Sequence, residues 1–424
     1  MLQPLFFNNK ERFLFFTLLC IIFICTLSFK YYEFYKLKSQ KNPQITASVL
    51  LQYTKTKNNK SYFVLKLQSE FGIFYTTSRE DLKDLKYRLV SMRLIVDKLT
   101  FFDFLKGFYA PHFNLILLQE RDFRESLREF ILNQHKTKIM GEYYLALFIA
   151  DSLPKEWREL AQSYGIAHVF AISGFHTGIL SAISFFILGL LYKPLHQRFF
   201  PFRNYFFDLG FIVLALLIAY YFLLTQSPSY LRAVAMSAVV FFLFIRGLKV
   251  WRLETLGWSV LILLSFMPSL AFSIGFYFSC LGVLYIFLFL KYFKLPDGLW
   301  KKILYICLLN ASTFILMTII THFFFTPFSP LSSLSLILTP LFSVYYPFML
   351  FAHIFNIGGI LDSILLWWLG VKTHTITLLS NFYLFALCNI LSFIACFYRL
   401  AFYLLLVLNI GFFSYGVYLY FYTF

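Results

Sequence analysis

Long apolar runs recur through the second half of this 424-residue chain and limit its possible folds more than any other feature. A helix needs roughly 17 to 25 apolar residues to cross about 30 Å of hydrocarbon. With 60% hydrophobic and only 13% charged residues, the chain contains more apolar residues than a soluble core can bury. The sequence therefore predicts a polytopic α-helical membrane protein.

About eleven spanning helices are predicted, some of them short enough to be re-entrant. The first is the apolar run Phe13–Phe29, which we interpret as a retained helix because no small-residue cleavage pattern precedes Lys30. The other runs are Val169–Leu191, Tyr205–Thr225, Ser229–Arg246, Thr255–Met267, Phe272–Leu290, Ile303–Thr321, Leu331–Ala352, Ile357–Val371, Thr375–Phe397 and Leu400–Tyr422.

A small β domain is predicted after the first helix, where β-favouring residues alternate with polar turn material. The segments Gln44–Leu51, Ser61–Gln68, Phe71–Thr77 and Tyr87–Lys98 read as strands, and we interpret them as an OB-like barrel. Lysines Lys55, Lys57 and Lys60 cluster in one loop, where they either contact DNA or are simply solvated.

The predicted organisation has four parts: an N-terminal transmembrane helix (1–31), the OB-like domain (44–100), an amphipathic, interfacial helical segment (101–166) and a transmembrane channel domain (167–424). Within the third part, Pro154 is placed to open an amphipathic helix that Gly165 ends.

Loop charges predict the orientation of the chain in the membrane. The loops Lys193–Arg203, Arg246–Arg252 and Lys291–Lys302 are basic, which is typical of cytoplasmic loops. The β domain is then periplasmic, and we expect a bacterial cytoplasmic (inner) membrane location with multiple spans. The formal net charge of +17 is weak support for nucleic-acid binding. Binding to anionic lipid, or the basic residues that keep loops in the cytoplasm, would explain it equally well.

Two polar motifs interrupt the apolar runs. The first, HVFAISGFHTG, places His168, Ser173, Gly174, His176 and Gly178 at the start of a span. Polar groups at membrane depth usually face the protein interior or a water-filled path. The second, SPSYLRA, places Pro228 and Ser229 at a helix start and Arg232 about one turn into the bilayer, where it either neutralises a passing phosphate or reaches the headgroups.

Several interpretations of the first motif compete. Ser173 and His176 share a helix face, yet no GxSxG elbow or acidic partner supports a hydrolase. Two histidines are too few for a metal site. Close helix packing through Gly174 and Gly178 and a pore-lining role remain equally open, and the two are compatible. We predict no catalytic residue, no metal and no cofactor.

The motifs resemble those of the ComEC family of DNA-uptake proteins. HVFAISGFHTG is similar to that family's HxxAISGxHxG signature, and SPSYLRA to its PSxLRA segment, within a resemblance that covers most of residues 141–340. The resemblance implies a channel for single-stranded DNA in natural transformation. It also implies a periplasmic DNA receptor and a cytoplasmic helicase-like motor as partners. Membrane lipid is a further expected partner, and a homo-oligomer is an open alternative to a single copy.

The metallo-β-lactamase-like domain of longer family members is not expected here, so the prediction is a channel and not an enzyme. Two alternatives stay open, a small-solute secondary transporter and a membrane scaffold that conducts nothing.

Overall fold

The computed structural model describes residues 6, 8–57, 60–79, 85–118, 124–170, 172, 174–224, 228–247 and 253–424. The chain divides into two compact units. The sheet unit comprises Phe6–Asn133 and Val260–Ile274, and the helical unit comprises Gln134–Ser259 and Gly275–Phe424.

Six strands form the sheet of the sheet unit, in the order β5-β3-β2-β1-β4-β6. The four predicted strands are present, and β1 is longer than expected because it pairs with two neighbours, β2 and β4. The strand bounds are Gln44–Lys57 (β1), Lys60–Ser69 (β2), Gly72–Ser78 (β3), Leu89–Leu94 (β4), Phe108–Tyr109 (β5) and His112–Leu117 (β6).

The segment predicted as helical over 101–166 is helical only in part. It begins with the short helix α2 (Phe101–Lys106), but β5 and β6 follow it and belong to the sheet. Strand β5 pairs in parallel with β3, and β6 pairs antiparallel with β4. The prediction was wrong for these strands because their pairing partners lie far away in sequence, so local patterning carries no signal for them.

Apolar side chains from α1 (Asn9–Ser39) complete the core of the sheet unit. Leu37, at the end of this helix, is fully buried against strand residues such as Leu65 and Phe74. The Thr26 hydroxyl in the same helix donates a 2.6 Å hydrogen bond to the Ser265 carbonyl. Helix α1 is therefore a long apolar helix whose last turns pack into a β core. A further helix, α3 (Glu125–Leu132), follows the sheet.

The helical unit contains most of the remaining elements. Its helices are α4 (Lys138–Ile149), α5 (Lys155–Ser163), α6 (Ala167–Phe170), α7 (Gly174–Phe199), α8 (Tyr205–Leu223), α9 (Pro228–Ile245), α10 (Leu253–Phe266, which continues into the sheet unit), α11 (Ile274–Tyr292), α12 (Leu299–Phe324), α13 (Ser335–Ile354), α14 (Asp362–Leu369), α15 (Phe382–Ala395) and α16 (Arg399–Thr423). A two-stranded ladder joins β7 (Pro327–Phe328) to β8 (Ile376–Thr377).

Seven helical segments among the described residues are long and apolar enough to cross a membrane. They are Asn9–Ser39, Gly174–Phe199, Tyr205–Leu223, Ile274–Tyr292, Leu299–Phe324, Pro330–Ile354 and Arg399–Thr423. The other predicted spans coincide with four shorter apolar helices, Ser229–Ile245, Leu253–Phe266, Gly358–Leu369 and Phe382–Ala395. Membrane helices are thus confirmed, and the count of about eleven stays a prediction.

Helix α5 ends as its sequence predicts. Gly165 has a φ of +67°, its amide donates to the Gln162 carbonyl, and the Ile166 amide donates to the Ala161 carbonyl. These two bonds form a Schellman motif, which favours glycine because of the left-handed backbone. The apolar face of the helix packs on protein, since Trp157 is fully buried and lies edge-on to Trp368 of α14. The chain is thereby directed into α6.

Candidate functional site

The first polar motif lies at a break between two helices. Helix α6 ends at Phe170 and α7 begins at Gly174. Between them, the Ile172 carbonyl accepts a 2.5 Å hydrogen bond from the Ser229 hydroxyl in the first turn of α9. Ser173, which we predicted as a site residue, lies outside the described residues. The hydrogen bond thus joins the two predicted motifs at their starting points.

His176 is completely buried on the first turns of α7. Its ring lies edge-on to Phe342, at 5.4 Å between centroids, and to Tyr346, at 4.9 Å. Both aromatic residues belong to α13. The imidazole is therefore enclosed by aromatic rings.

His168 contacts the same helix, α13, from the other side of the break. Its Nδ1 donates to the Gly165 carbonyl at 3.1 Å, which leaves Nε2 as an acceptor for the Thr339 hydroxyl at 3.4 Å. Thr339, Phe342 and Tyr346 are three and four residues apart and share one face of α13. Both motif histidines therefore face a single stripe of one helix.

Arg232 lies in α9, and its side chain is buried within the helical unit, with 6% of the residue exposed. A methyl group on Gly275, at the start of α11, would lie 3.0 Å from Nη2 and 3.2 Å from Nη1 of this guanidinium. The guanidinium thus occupies the space that a side chain at position 275 would fill. This burial favours an interior position for Arg232 over one among the lipid headgroups.

The motif glycines do not bring helices into unusually close contact. A methyl group on Gly174 would make an ordinary 3.9 Å contact with Ala233, and one on Gly178 would meet nothing within 4 Å. Tight approaches occur elsewhere, at Gly189 of α7 and Gly210 of α8. A methyl group on Gly210 would lie 2.0 Å from the Phe241 ring. Sequence reasoning missed these two positions because they stand in plain apolar runs.

The remaining predicted residues are placed as follows. Pro228 is the first residue of α9, as expected for a proline that opens a helix. Lys55 is exposed on β1, with its ammonium 5.7 Å from the Tyr53 ring. Lys57 and Lys60 are paired across the β1–β2 turn, and their side chains lie outside the described part of the chain.

A tyrosine network behind the motif was not anticipated from the sequence. The Tyr220 hydroxyl of α8 donates a 2.5 Å bond to the Phe148 carbonyl and lies 3.4 Å from the Tyr346 hydroxyl. In α4, the hydroxyls of Tyr143 and Tyr144 lie 3.2 Å and 3.1 Å from that of Tyr345. Hydroxyl contacts at Tyr345 and Tyr346 thus hold α13, the helix whose stripe meets the motif histidines.

No group of three or more His, Cys, Asp or Glu residues within the described ranges is arranged to hold a metal ion. The chemistry available at the motif is therefore that of one buried imidazole (His176), one exposed imidazole (His168), a guanidinium and hydroxyl groups.

Comparison with known proteins supplies further evidence. The family model described as Competence protein matches residues 147–415, from the end of α4 into α16. A protein from Aquifex aeolicus (strain VF5), described as uncharacterized, is 29% identical over 229 residues, which is 52% of this chain and 51% of that relative. The chain thus matches about half the length of this relative. No solved structure matches.

Proposed function

Because the chain belongs to the Competence protein family, we propose that it passes single-stranded DNA through the bacterial cytoplasmic membrane during natural transformation. The family model covers well over half of the chain, from residue 147 to residue 415. The observation that carries the proposal is that both polar motifs meet within this region: Ser229 is bonded to Ile172, and His168 and His176 share the α13 stripe. We place the DNA path next to this junction.

The charge of Arg232 suits a polyanionic substrate. A guanidinium binds phosphate through charge-assisted hydrogen bonds, and these are strongest where water is scarce. Arg232 is held inside the helical unit. Removing a charged group from water is costly there, so such a group is usually retained for function.

Force for transport must come from elsewhere, because the sequence contains no Walker A pattern. We propose a cytoplasmic helicase-like motor and a periplasmic DNA receptor as partners, membrane lipid as the surrounding solvent, and assembly of more than one copy. We also propose that the sheet unit faces the periplasm, following the basic loops.

The sheet unit is proposed to contact the incoming strand. None of the described strands β1 to β6 contains Asp or Glu, whereas β1 and β2 alone contain Lys55, Lys57, Lys60 and Lys66. Strands that contain lysines and no acidic residues favour a polyanion.

Aromatic side chains lie on the same face of the sheet as Lys66. Cross-strand register places Lys66 beside Tyr75, and Tyr75 beside Tyr109. Tyr109 is 55% exposed, and its hydroxyl lies 2.7 Å from the Thr77 hydroxyl. Tyrosines interleaved with cations are typical of surfaces that stack single-stranded bases.

We propose an OB-type fold for this sheet. The pairings β1–β2, β2–β3, β3–β5, β4–β6 and β1–β4 support it, since β5 and β6 are successive pieces of one chain segment.

Binding of labelled oligo-dT by the purified full chain tests the proposed contact between the sheet and DNA. Tyr75→Leu and Tyr109→Leu should each weaken binding severalfold, and Tyr35→Leu, in α1, should not. Equal affinity in all four proteins would contradict the assignment.

The main experiment measures transformation frequency and periplasmic uptake of labelled DNA side by side. His176→Ala and Arg232→Ala should abolish transformation while periplasmic uptake continues at normal protein abundance. The matched controls are the exposed residues His374 and Arg246, whose alanine variants should transform normally.

The same experiment separates the rival functions. A solute transporter would leave transformation intact even after deletion of the whole chain. A scaffold that conducts nothing would require the chain for transformation but tolerate both motif substitutions. Either result would replace the conduit proposal.

A further inference from the structure

A second buried polar cluster lies in the helical unit, away from both sequence motifs. His135 precedes α4, His353 lies in the last turn of α13, and Asp362 is the first residue of α14. The His135 side chain is 0% exposed and that of Asp362 is 9% exposed. We call these three residues the Asp-His-His cluster.

Hydrogen-bond chemistry fixes the proton on His353. Its Nδ1 lies 2.7 Å from the Met349 carbonyl, which can only accept, so Nδ1 carries the hydrogen. With Nδ1 protonated, Nε2 of the neutral ring is an acceptor. That atom lies 3.0 Å from Nε2 of His135. One proton therefore lies between the two Nε2 atoms, and the Asp362 carboxylate beside His135 favours its placement on His135.

The opposite nitrogen of His135 also requires a hydrogen. Its Nδ1 lies 3.0 Å from both Oδ1 and Oδ2 of Asp362. A symmetric contact with both oxygens is typical of an N–H donor shared by an ionised carboxylate, whereas a protonated carboxyl would donate through one oxygen only. Both ring nitrogens of His135 thus carry hydrogen, and the ring is an imidazolium paired with Asp362.

Counting protons gives the charge of the cluster. The satisfied network holds three protons, two on His135 and one on His353, and its net charge is zero. An ionised Asp362 with two neutral histidines would hold two protons and carry one negative charge. In that state one contact of His135 fails: either two nitrogen lone pairs face each other at the His353 contact, or a lone pair faces the carboxylate.

We propose that the Asp-His-His cluster is a proton-binding site whose single exchangeable proton holds the last turn of α13 to His135. Loss of this proton replaces an attractive contact by repulsion between the facing atoms, and α13 then moves away from the segment before α4. Histidine is the residue that most often serves such a role, and chains of acidic residues and histidines carry protons in membrane transporters.

Two phenol groups border the cluster. Among the described residues, the titratable groups that face the cluster are Tyr144 of α4, whose ring stacks on His135 at 4.6 Å, and Tyr345 of α13, whose hydroxyl bonds to that of Tyr144. Burial raises the pKa of the Tyr144 phenol, so this group stays neutral. The Gln134 amide donates to the His353 carbonyl at 3.1 Å. The exchangeable proton therefore belongs to the three cluster residues.

Helix α13 connects the cluster to the first motif. Thr339 contacts His168 and Tyr346 contacts His176. His353 lies about 21 Å along the helix from Thr339, at about 1.5 Å per residue. Helix α13 is continuous from Ser335 to Ile354, with Pro340 and Pro347 inside it, and movement of its last turn reaches the motif histidines along this one helix. Proton binding at the cluster controls the geometry of the motif.

Nitrogen NMR of the full chain, labelled with ¹⁵N-histidine and reconstituted in lipid without DNA, tests the proposal. We expect one doubly protonated ring, assigned to His135 by its loss in His135→Gln. When a change of pH removes this signal, the His168 and His176 signals should shift together with it. Asp362→Asn should abolish the doubly protonated ring, whereas Glu142→Gln, which changes a partly exposed carboxylate of α4, should preserve it.

Two outcomes would overturn the inference. If all histidines are neutral across the pH range, no proton is held; if His135 titrates while the His168 and His176 signals stay still, α13 transmits nothing. Should Asp362→Asn fail to fold, His353→Gln and the titration of the unaltered protein still decide. Because no DNA is present, failure here is separate from failure of the proposed DNA transport.

Discussion

The Ser229 hydroxyl donates to the Ile172 carbonyl at 2.5 Å and so ties the start of α9 to the break between α6 and α7. Carbonyls at a helix break lack their usual intrahelical partners and need another donor when they are buried. Ile172 is 2% exposed, so the Ser229 hydroxyl supplies the hydrogen bond that water would otherwise make to this carbonyl. The bond makes the two polar motifs one structural unit.

Replacement of Ser229 by alanine should therefore disturb the break itself. We expect a loss of about 1 to 3 kcal/mol in the free energy of unfolding, because a buried carbonyl is left without its donor. Thermal unfolding of the purified protein measures this. The control is Ser181→Ala, since the Ser181 hydroxyl bonds only to the Thr177 carbonyl of its own helix. A Ser229→Ala protein as stable as the control would contradict the role given to the bond.

Substitution of Gly275 by alanine should displace the Arg232 guanidinium, because the new methyl group would lie 3.0 Å from Nη2. We expect transformation to fall severalfold at unchanged protein abundance. Gly282→Ala lies in the same helix with nothing within 4 Å and should have no effect. Because Arg232→Ala is itself expected to abolish transformation, thermal unfolding measures the coupling: in that background Gly275→Ala should cause no further loss of stability, since coupled residues are not additive. Additive losses would show that Gly275 acts independently of Arg232.

Gly210→Ala should destabilise the contact between α8 and α9. The methyl group would lie 2.0 Å from a Phe241 ring atom, and overpacking of this kind costs about 1 to 3 kcal/mol. A second substitution, Phe241→Leu, should restore part of the loss. Thermal unfolding of the single and double variants is the measurement, with Gly257→Ala as control because its methyl group would meet nothing within 4 Å. If the double variant is less stable than Gly210→Ala, the steric explanation fails.

Lys66 should lower the stability of the sheet unit while serving DNA binding. Burial lowers the pKa of its ammonium, so the unfolded chain binds this proton more tightly than the folded one. Stability should then rise with pH as it approaches the ordinary lysine pKa of about 10.4. Lys66→Met should raise the melting temperature at neutral pH, flatten that alkaline rise and weaken oligo-dT binding.

The exposed Lys55 provides the comparison for Lys66. Lys55→Met should leave the melting temperature unchanged, because an exposed ammonium keeps its hydration. A Lys66→Met protein that melts below the unaltered protein at neutral pH is the outcome that contradicts this account.

The sequence by itself determined the class of the protein and the position of most helices. The predicted runs Tyr205–Thr225 and Ser229–Arg246 coincide with α8 and α9 because hydrophobic length is a local property. Gly165 ends α5 for an equally local reason, its left-handed backbone. The motif residues were recognisable since polar groups stand out in apolar runs.

Tertiary structure alone decided which residues meet. Strands β5 and β6 exist because β3 and β4 pair with them, and the two residues of β5 are too few to show a pattern. His135 lies 227 positions from Asp362 and 218 from His353, and nothing local to any of them indicates their contact. Likewise, the α13 stripe that faces both motif histidines reads in the sequence as one more apolar run. Spacing along the chain reports the fold of each segment, whereas hydrogen bonds between segments depend on packing that only the complete chain creates.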